Sequence, residues 1–393
     1  MVKKICVALA LVYLLSPCVS ALGTNDVSAE CAVLISEQTG EVIFQKDAYK
    51  THSMASTTKI MTALLTAESG LTNREIKVTE NMLNVEGTSM GLLPGDSVSL
   101  GELIYGMMLP SGNDAANVAA IYLGGSIEGF AELMNARAAE IGMKSTNFVT
   151  PSGLDSENHY STAYDMALLG REAVKNPLLF SACSSKKKTL TYGNPPYSRT
   201  LYNHNRLLDY YEYALGIKTG FTKKSGRCLV SYAEKDGVGL VAVTLNAPDD
   251  WNDHKVMLNY GFDTVKARTI APSVPCTVKV VGSDKSEIKT SVENLTLQSV
   301  GNPQAQQKIY IKKFLYAPVN VGDVIGKCEL YLDGELIDTA DVTAAESAKI
   351  IESDLQKDTG NIDNADNSGF RGIANKIKEK FSGIFTAFRR DQD

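Results

Sequence analysis

Ser56-Thr57-Thr58-Lys59 stands at the mouth of the apolar run Ile60-Met61-Thr62-Ala63-Leu64-Leu65, and the reading of this stretch organises the rest. From Thr57 to Glu68, closed by Gly70, the spacing predicts a buried helix. Residues three apart share a helix face, so Ser56 and Lys59 are expected to point into one cleft. A serine hydroxyl is a poor nucleophile until a neighbour takes its proton. A lysine can take it when burial or a second cation lowers its pKa. At a helix N-terminus, free backbone N–H groups also favour the negative charge that develops in acyl transfer. Taken alone, Ser-x-x-Lys recurs by chance, and its competing reading is an N-cap followed by a solvated lysine.

The chain has 393 residues, 44% hydrophobic and 21% charged, an ordinary globular composition with room for two domains. A net charge of −6 gives no reason to expect nucleic-acid binding. Lys3-Lys4, the apolar core Ile5 to Leu15, the breaker Ser16-Pro17 and Val19-Ser20-Ala21 have the layout of a secretory signal peptide cleaved after Ala21. That core is too short to span a bilayer, which needs about 20 apolar residues. Leu15-Ser16-Pro17-Cys18 approaches a lipoprotein box, but proline directly before the cysteine does not fit it. After cleavage Cys31, Cys183, Cys228, Cys276 and Cys328 remain, scattered and odd in number, so neither a zinc site nor a disulfide scaffold is indicated. They read as small buried hydrophobes, with a single disulfide left open.

Along the chain, Cys31 to Ser36 and Glu41 to Gln45 read as strands around a turn at Gly40. After a turn-rich stretch from Glu75, helices are expected at Leu100 to Met108, behind a Ser99-x-x-Glu102 capping box, and at Ala115 to Leu123. Two more are expected at Ile127 to Ile141, stopped by Gly142, and at Thr162 to Val174. Leu215 to Thr219, Arg227 to Ala233 and Val238 to Leu245 read as strands, the last two joined at Lys235-Asp236-Gly237. A closing helix, Asn252 to Tyr260, is expected to end at Gly261. This order predicts an α/β (α+β) fold, an antiparallel sheet with helices packed on it.

Short β-like runs after Val265 (Cys276 to Val281, Lys308 to Lys312, Val324 to Leu332, Leu336 to Val342) predict a small all-β domain over 265–350. Residues 351–369 read as a polar linker. In 370–390, Phe370, Ile373, Ile377, Phe381, Ile384, Phe385 and Phe388 recur at three- and four-residue steps among Arg371, Lys376, Lys378, Lys380, Arg389 and Arg390. That is the pattern of a helix lying on a membrane surface, with docking on the chain's own β domain as the alternative.

Two further motifs join Ser56. Pro110-Ser111-Gly112-Asn113 falls in a turn between helices, and Lys218-Thr219-Gly220 ends a strand, where Gly220 would let a substrate backbone lie alongside. Ser-x-x-Lys, Ser-x-Asn and Lys-Thr-Gly, in that order, are the set of the penicillin-recognising serine enzymes. Residues 55–64, Pro151-Ser152-Gly153-Leu154-Asp155 with His159-Tyr160-Ser161-Thr162, and Gly216 to Thr222 resemble the low-molecular-mass D-alanyl-D-alanine carboxypeptidases. The resemblance covers Cys31 to about Phe262, so the catalytic domain is expected over 22–264. A β domain and an amphipathic C-terminal helix match that family's layout.

The resemblance implies that Ser56 attacks the carbonyl of the penultimate D-Ala and that Lys59, its pKa lowered by Lys218, is the general base. It implies that Ser111 relays a proton to the leaving amine and that Asn113 holds the substrate amide. Lys218 and Thr219 would bind the free carboxylate, and the N–H groups of Ser56 and Phe221 would form the oxyanion hole. The family often has histidine where this chain has Phe221, but only the N–H is required there. No metal or other cofactor is implied. The partners implied are peptidoglycan stem peptides, β-lactams and a membrane surface, at the outer face of the cytoplasmic membrane of an exported protein.

Gly87-Thr88-Ser89-Met90-Gly91 also matches the G-x-S-x-G nucleophile elbow, but that elbow needs a strand before it and a helix after it. Here Leu92-Leu93-Pro94-Gly95, a turn, follows, so Ser89 reads as a loop residue. His159 reads as a structural hydrogen-bonding residue or a neighbour of the cleft, and Asp155 as a loop anchor. The tyrosines between Tyr192 and Tyr213 either line a glycan-facing groove or pack half-buried. A β-lactamase would need a further glutamate base that no motif supplies. A wall-binding scaffold that has lost turnover would have no need of the intact site set.

Overall fold

A computed structural model describes residues 21–351. The leader expected over 1–21, except its last residue, most of the linker and the amphipathic stretch over 370–390 lie outside the described residues.

Strands β1 (Cys31–Ser36) and β2 (Val42–Lys46) form the first hairpin. A 3-10 turn, Ala55–Thr58, then leads into α1 (Lys59–Glu68). The expected helix is therefore divided, with Ser56 on the tight turn and Lys59 the first α-helical residue. The cause is local: Ala55 has φ +48°, and Met54 O accepts both the amide and the hydroxyl of Thr57. β3 (Glu75–Lys77) and β4 (Ser97–Ser99) pair across the turn-rich stretch. α2 (Leu100–Met108) starts at the expected capping box, with Glu102 N donating to Ser99 Oγ and Ser99 N to Glu102 Oε2.

α3 (Asn113–Gly124), α4 (Ile127–Ile141) and α5 (Ala163–Lys175) follow, α4 ending at left-handed Gly142 and α5 capped by Thr162 Oγ1. α6 (Pro177–Ser184) is an element the sequence reading passed over, although Asn176 Oδ1 caps it and Pro177 opens it. The hairpin of β5 (Lys187–Gly193) and β6 (Pro196–Tyr202) was passed over as well. Its inward face carries Lys188 and Arg199 among Leu190, Tyr192 and Leu201, which breaks the apolar alternation. β7 (Ala214–Thr222), β8 (Gly226–Lys235), β9 (Val238–Leu245) and α7 (Asp250–Thr264) complete the run.

The central sheet has the order β2-β1-β9-β8-β7 and every neighbour is antiparallel. Both faces are buried, so β1 is buried at every position. Cys31, Val33 and Ile35 enter the larger core under α1 to α6, while Ala32 and Leu34 turn to the face covered by α7. α7 does not end at Gly261 as expected but continues to Thr264. A Cβ at Gly261 would stand 2.6 Å from Leu240 and 2.7 Å from Leu34, so this glycine brings the helix flat onto the sheet rather than ending it.

Beyond α7, β10 (Val265–Ile270) leads on to β11 (Thr277–Val281), β12 (Glu287–Val292), β13 (Leu295–Val300), β14 (Gln306–Ile311) and β15 (Phe314–Tyr316). β16 (Val324–Leu332) and β17 (Glu335–Ala344) follow. Two compact units result, the first holding the described residues 21–274 with Val292–Tyr310 and Gly326–Asp341. In it β10 pairs with β13, and Leu295, Leu297, Cys328 and Leu330 form a small core of their own. The second comprises Pro275–Ser291, Ile311–Ile325 and, of the described residues, 342–351, and in it β11 pairs antiparallel with β12 and parallel with β15. The fold is thus mixed α/β with antiparallel sheets and an all-β C-terminal part. The five described cysteines are all free thiols, and only Cys276 among them is exposed.

Candidate active site

The site grows from the turn that carries Ser56. Lys59 has no exposed surface, and its Nζ lies 3.0 Å from Ser56 Oγ and 2.7 Å from Ser152 O. Burial, reinforced by the charge of Lys218 and opposed by that of Asp114, holds the Lys59 amine well below the ordinary lysine range. Lys218 is itself buried, its Nζ donating to Thr219 O at 2.9 Å, and burial pulls it down to about 7. A buried amine with a lowered pKa beside a hydroxyl is the arrangement that makes serine a nucleophile.

Lys218, Thr219, Gly220 and Phe221 lie on β7, the edge strand of the central sheet. A Cβ at Gly220 would stand 3.0 Å from both Ser56 N and Met54 O. Its lack of a side chain therefore seats the strand against the nucleophile's own turn, a reason the sequence reading did not see. The Phe221 ring is exposed. A cavity of about 270 Å³ lies against Thr219, Gly220 and Phe221 and is also lined by His204, Arg206 and Arg227.

Ser111 and Asn113 are buried at the start of α3, which packs against α1. Ser111 adopts φ +62°, the left-handed region that non-glycine residues avoid. Asn113 Nδ2 donates to Glu86 O at 2.6 Å, which orients the amide, and Asn113 Oδ1 is buried with no partner among the described residues. An unpaired buried acceptor costs free energy unless something donates to it, so it points to a ligand N–H.

Ser89, the rival nucleophile, is no elbow. Its Oγ donates to Asp114 Oδ2 at 2.6 Å, and the same carboxylate accepts the amides of Met90, Gly91 and Leu92. Asp114 is a residue the sequence reading missed, and its position directly after Asn113 was the available signal. The carbonyl of Ser152 is the acceptor for Lys59, a role its sequence context does not announce. A Cβ at Gly153, where φ is +81°, would fall 1.9 Å from Ala55 O, so this loop is pressed onto the Ser56 turn.

His159 takes the structural alternative. Its Nδ1 accepts from Val149 N, which leaves Nε2–H to donate to Thr58 Oγ1. Asp155 Oδ1 accepts from Thr222 and Ser53, tying its loop to the end of β7. Of the tyrosines, Tyr192 and Tyr211 are buried, whereas Tyr197, Tyr202 and Tyr210 are exposed. No group of three or more His, Cys, Asp or Glu side chains among the described residues is placed to hold a metal ion.

A buried lysine on a serine that opens a helix, an asparagine with a free acceptor and a Lys-Thr-Gly edge strand together define a serine acyl-transfer enzyme of the penicillin-recognising class. The model of the D-alanyl-D-alanine carboxypeptidase family matches residues 18–249, and that of the penicillin-binding protein 5 C-terminal domain matches residues 271–349. The D-alanyl-D-alanine carboxypeptidase DacF of Bacillus subtilis is 33% identical over 82% of this chain and 86% of its own length. DacC of Escherichia coli, another D-alanyl-D-alanine carboxypeptidase, is 32% identical over 82% of this chain and 85% of its own. Among solved structures, DacD of Francisella tularensis has a TM-score of 0.61 at 25% identity, over 87% of this chain and 98% of its own. Penicillin binding protein 5 of Haemophilus influenzae gives 0.60 at 27% identity, over 84% and 100%. The chain belongs to the D-alanyl-D-alanine carboxypeptidase family of serine peptidases.

Proposed function

We propose that this cleft removes the terminal D-Ala from peptidoglycan stem pentapeptides, with Ser56 as nucleophile and Lys59 as its base. The observation that carries the assignment is the fully buried Lys59 amine 3.0 Å from Ser56 Oγ. As the Ser56 oxygen bonds to the penultimate D-Ala carbonyl carbon, its proton passes to Lys59. Collapse of the tetrahedral intermediate breaks the C–N bond, and the leaving amine takes a proton relayed by Ser111. Water then cleaves the ester and restores Ser56.

Edge strand β7 has unpaired backbone groups along its outer side, and an extended peptide can add to them as a further strand. In that pose the free acceptor of Asn113 receives a substrate N–H, Lys218 and Thr219 hold the terminal carboxylate, and the N–H groups of Ser56 and Phe221 receive the oxyanion. Such donors are typically worth about 3–4 kcal/mol of transition-state stabilisation.

The leader-like N-terminus and the basic, aromatic stretch over 370–390 support work at the outer face of the cytoplasmic membrane. No helix among the described residues is long and apolar enough to cross a bilayer.

Labelling by a fluorescent penicillin, with Ser56→Ala and Ser89→Ala beside the unchanged protein, tests the site, and D-Ala release from a D-Ala-D-Ala peptide tests the reaction. Labelling is expected to vanish in Ser56→Ala alone, with D-Ala released by the unchanged protein. Labelling without release would replace hydrolysis with a binding role, and labelling that survives Ser56→Ala would refute the nucleophile.

A further inference from the structure

The stretch from Glu86 to Leu92 has no regular secondary structure and is exposed at Glu86 to Ser89 and at Gly91, yet it carries the contacts that hold Asn113. Glu86 O accepts Asn113 Nδ2, Thr88 O accepts Asn113 N at 2.7 Å, and Thr88 Oγ1 donates to Ser111 O. An irregular exposed segment has low local stability unless its backbone groups are tied down. On its inner side Asp114 does this, through Ser89 and three amides. On its outer side the ties come from the β5–β6 hairpin.

Tyr192, buried on β5, donates its hydroxyl to Met90 O at 2.8 Å, and Arg199, its diagonal neighbour on β6, donates from Nη1 to Gly91 O at 2.6 Å. The Arg199 guanidinium is stacked 4.3 Å from the ring centre of Tyr192 and 4.0 Å from that of Tyr197. A planar cation held over two aromatic faces keeps one geometry. At the hairpin tip Asn194 N donates to Asp96 Oδ1, while Leu93 N donates to Asp96 Oδ2. The opposite hairpin face, with Thr189, Thr191, Ser198 and Thr200, turns to solvent and touches none of this.

We propose that the β5–β6 hairpin is a clamp on the Glu86–Leu92 loop, and that Tyr192 and Arg199 are positioning residues that set Asn113 for the substrate amide. The clamp rests on the assignment of Asn113 to that amide. It acts by anchoring Met90 and Gly91, so that the preceding residues of the loop keep Glu86 O on the Asn113 side chain and Thr88 O on its amide, and its loss lowers acylation without removing a group that touches substrate.

The test is a double-mutant cycle on the purified protein, read as kcat/KM for a D-Ala-D-Ala peptide and as the acylation rate with a β-lactam. Tyr192→Phe and Arg199→Ala are each expected to lower both by about threefold to tenfold, the size of one lost hydrogen bond. Each is expected to lower them less in an Asn113→Ala background, where only the Thr88 contacts to Ser111 O and to the residue-113 amide remain. Thr200→Ala, on the outward face, is expected to change nothing. Hydrogen exchange at Met90, Gly91 and Leu92 is expected to quicken in Tyr192→Phe while the melting temperature falls by no more than about 4 °C. An equal loss with and without Asn113, or no loss in Tyr192→Phe, overturns the clamp. An Asn113→Ala variant with unchanged kcat/KM overturns the underlying assignment, and the clamp with it.

Discussion

Lys59 Nζ sits 3.0 Å from Ser56 Oγ and 2.7 Å from Ser152 O, on a side chain that no solvent reaches. An ammonium here loses its hydration for one carbonyl and one hydroxyl, so the neutral amine is favoured. With one N–H occupied by Ser152, the lone pair is free to take the Ser56 proton.

Acylation by a β-lactam is therefore expected to rise with pH with a midpoint well below the 10.5 of a free lysine, since only unprotonated Lys59 is competent. Lys59→Met keeps the side-chain length and removes the base. It is expected to cut acylation by about a hundredfold or more, and to leave the melting temperature at or above that of the unchanged protein. A midpoint at 10.5, or a melting temperature that drops by many degrees, would contradict the buried neutral amine.

Gly220→Ala places a methyl group 3.0 Å from the Ser56 amide and the Met54 carbonyl. The strand or the turn must shift by a few tenths of an ångström, and misplacement on the ångström scale costs about a hundredfold in rate. Penicillin labelling is expected to slow by about tenfold or more while the fold persists. Gly153→Ala meets Ala55 O at 1.9 Å with φ +81°, and is expected to destabilise the protein by at least about 2 kcal/mol in denaturant unfolding.

Asp114→Asn replaces an acceptor-only carboxylate by a group that turns an NH₂ toward some of the same backbone donors. Stability is expected to fall by about 1–3 kcal/mol. Ser89→Ala, which removes one hydroxyl from the same network, is expected to cost less. Urea titrations of the two variants compare them directly, and an equal cost would show that the backbone amides are not what Asp114 secures.

His159 and His254 are buried as neutral rings, pushed down by burial to about 4 and about 3. Unfolded, each takes a proton below the ordinary 6.5. Between these values the unfolded chain binds more protons than the folded one, so stability is lost as pH falls from 6.5 toward 4. His159→Gln and His254→Gln are each expected to flatten that slope in denaturant midpoints measured against pH, whatever they do to stability at pH 7. A slope unchanged in both would place the acid sensitivity elsewhere.

What the sequence settled by itself lies in short local stretches. The continuous apolar runs Cys31–Ser36 and Val238–Leu245 and the capping box at Ser99 are local, so strand and helix bounds there could be written down in advance. The three motifs were legible for the same reason, each lying within four residues of chain. The tertiary structure alone decided that Gly220 is spent on the Ser56 turn, that Gly261 flattens a helix instead of ending it, and that Ser152 O receives Lys59. It also decided that Asp114, Tyr192 and Arg199 hold one loop between them. Those contacts join carboxylates, carbonyls, rings and methyl groups about 20 to 230 residues apart, and hydrogen bonds to a backbone carbonyl leave no mark on the identity of the residue that supplies it.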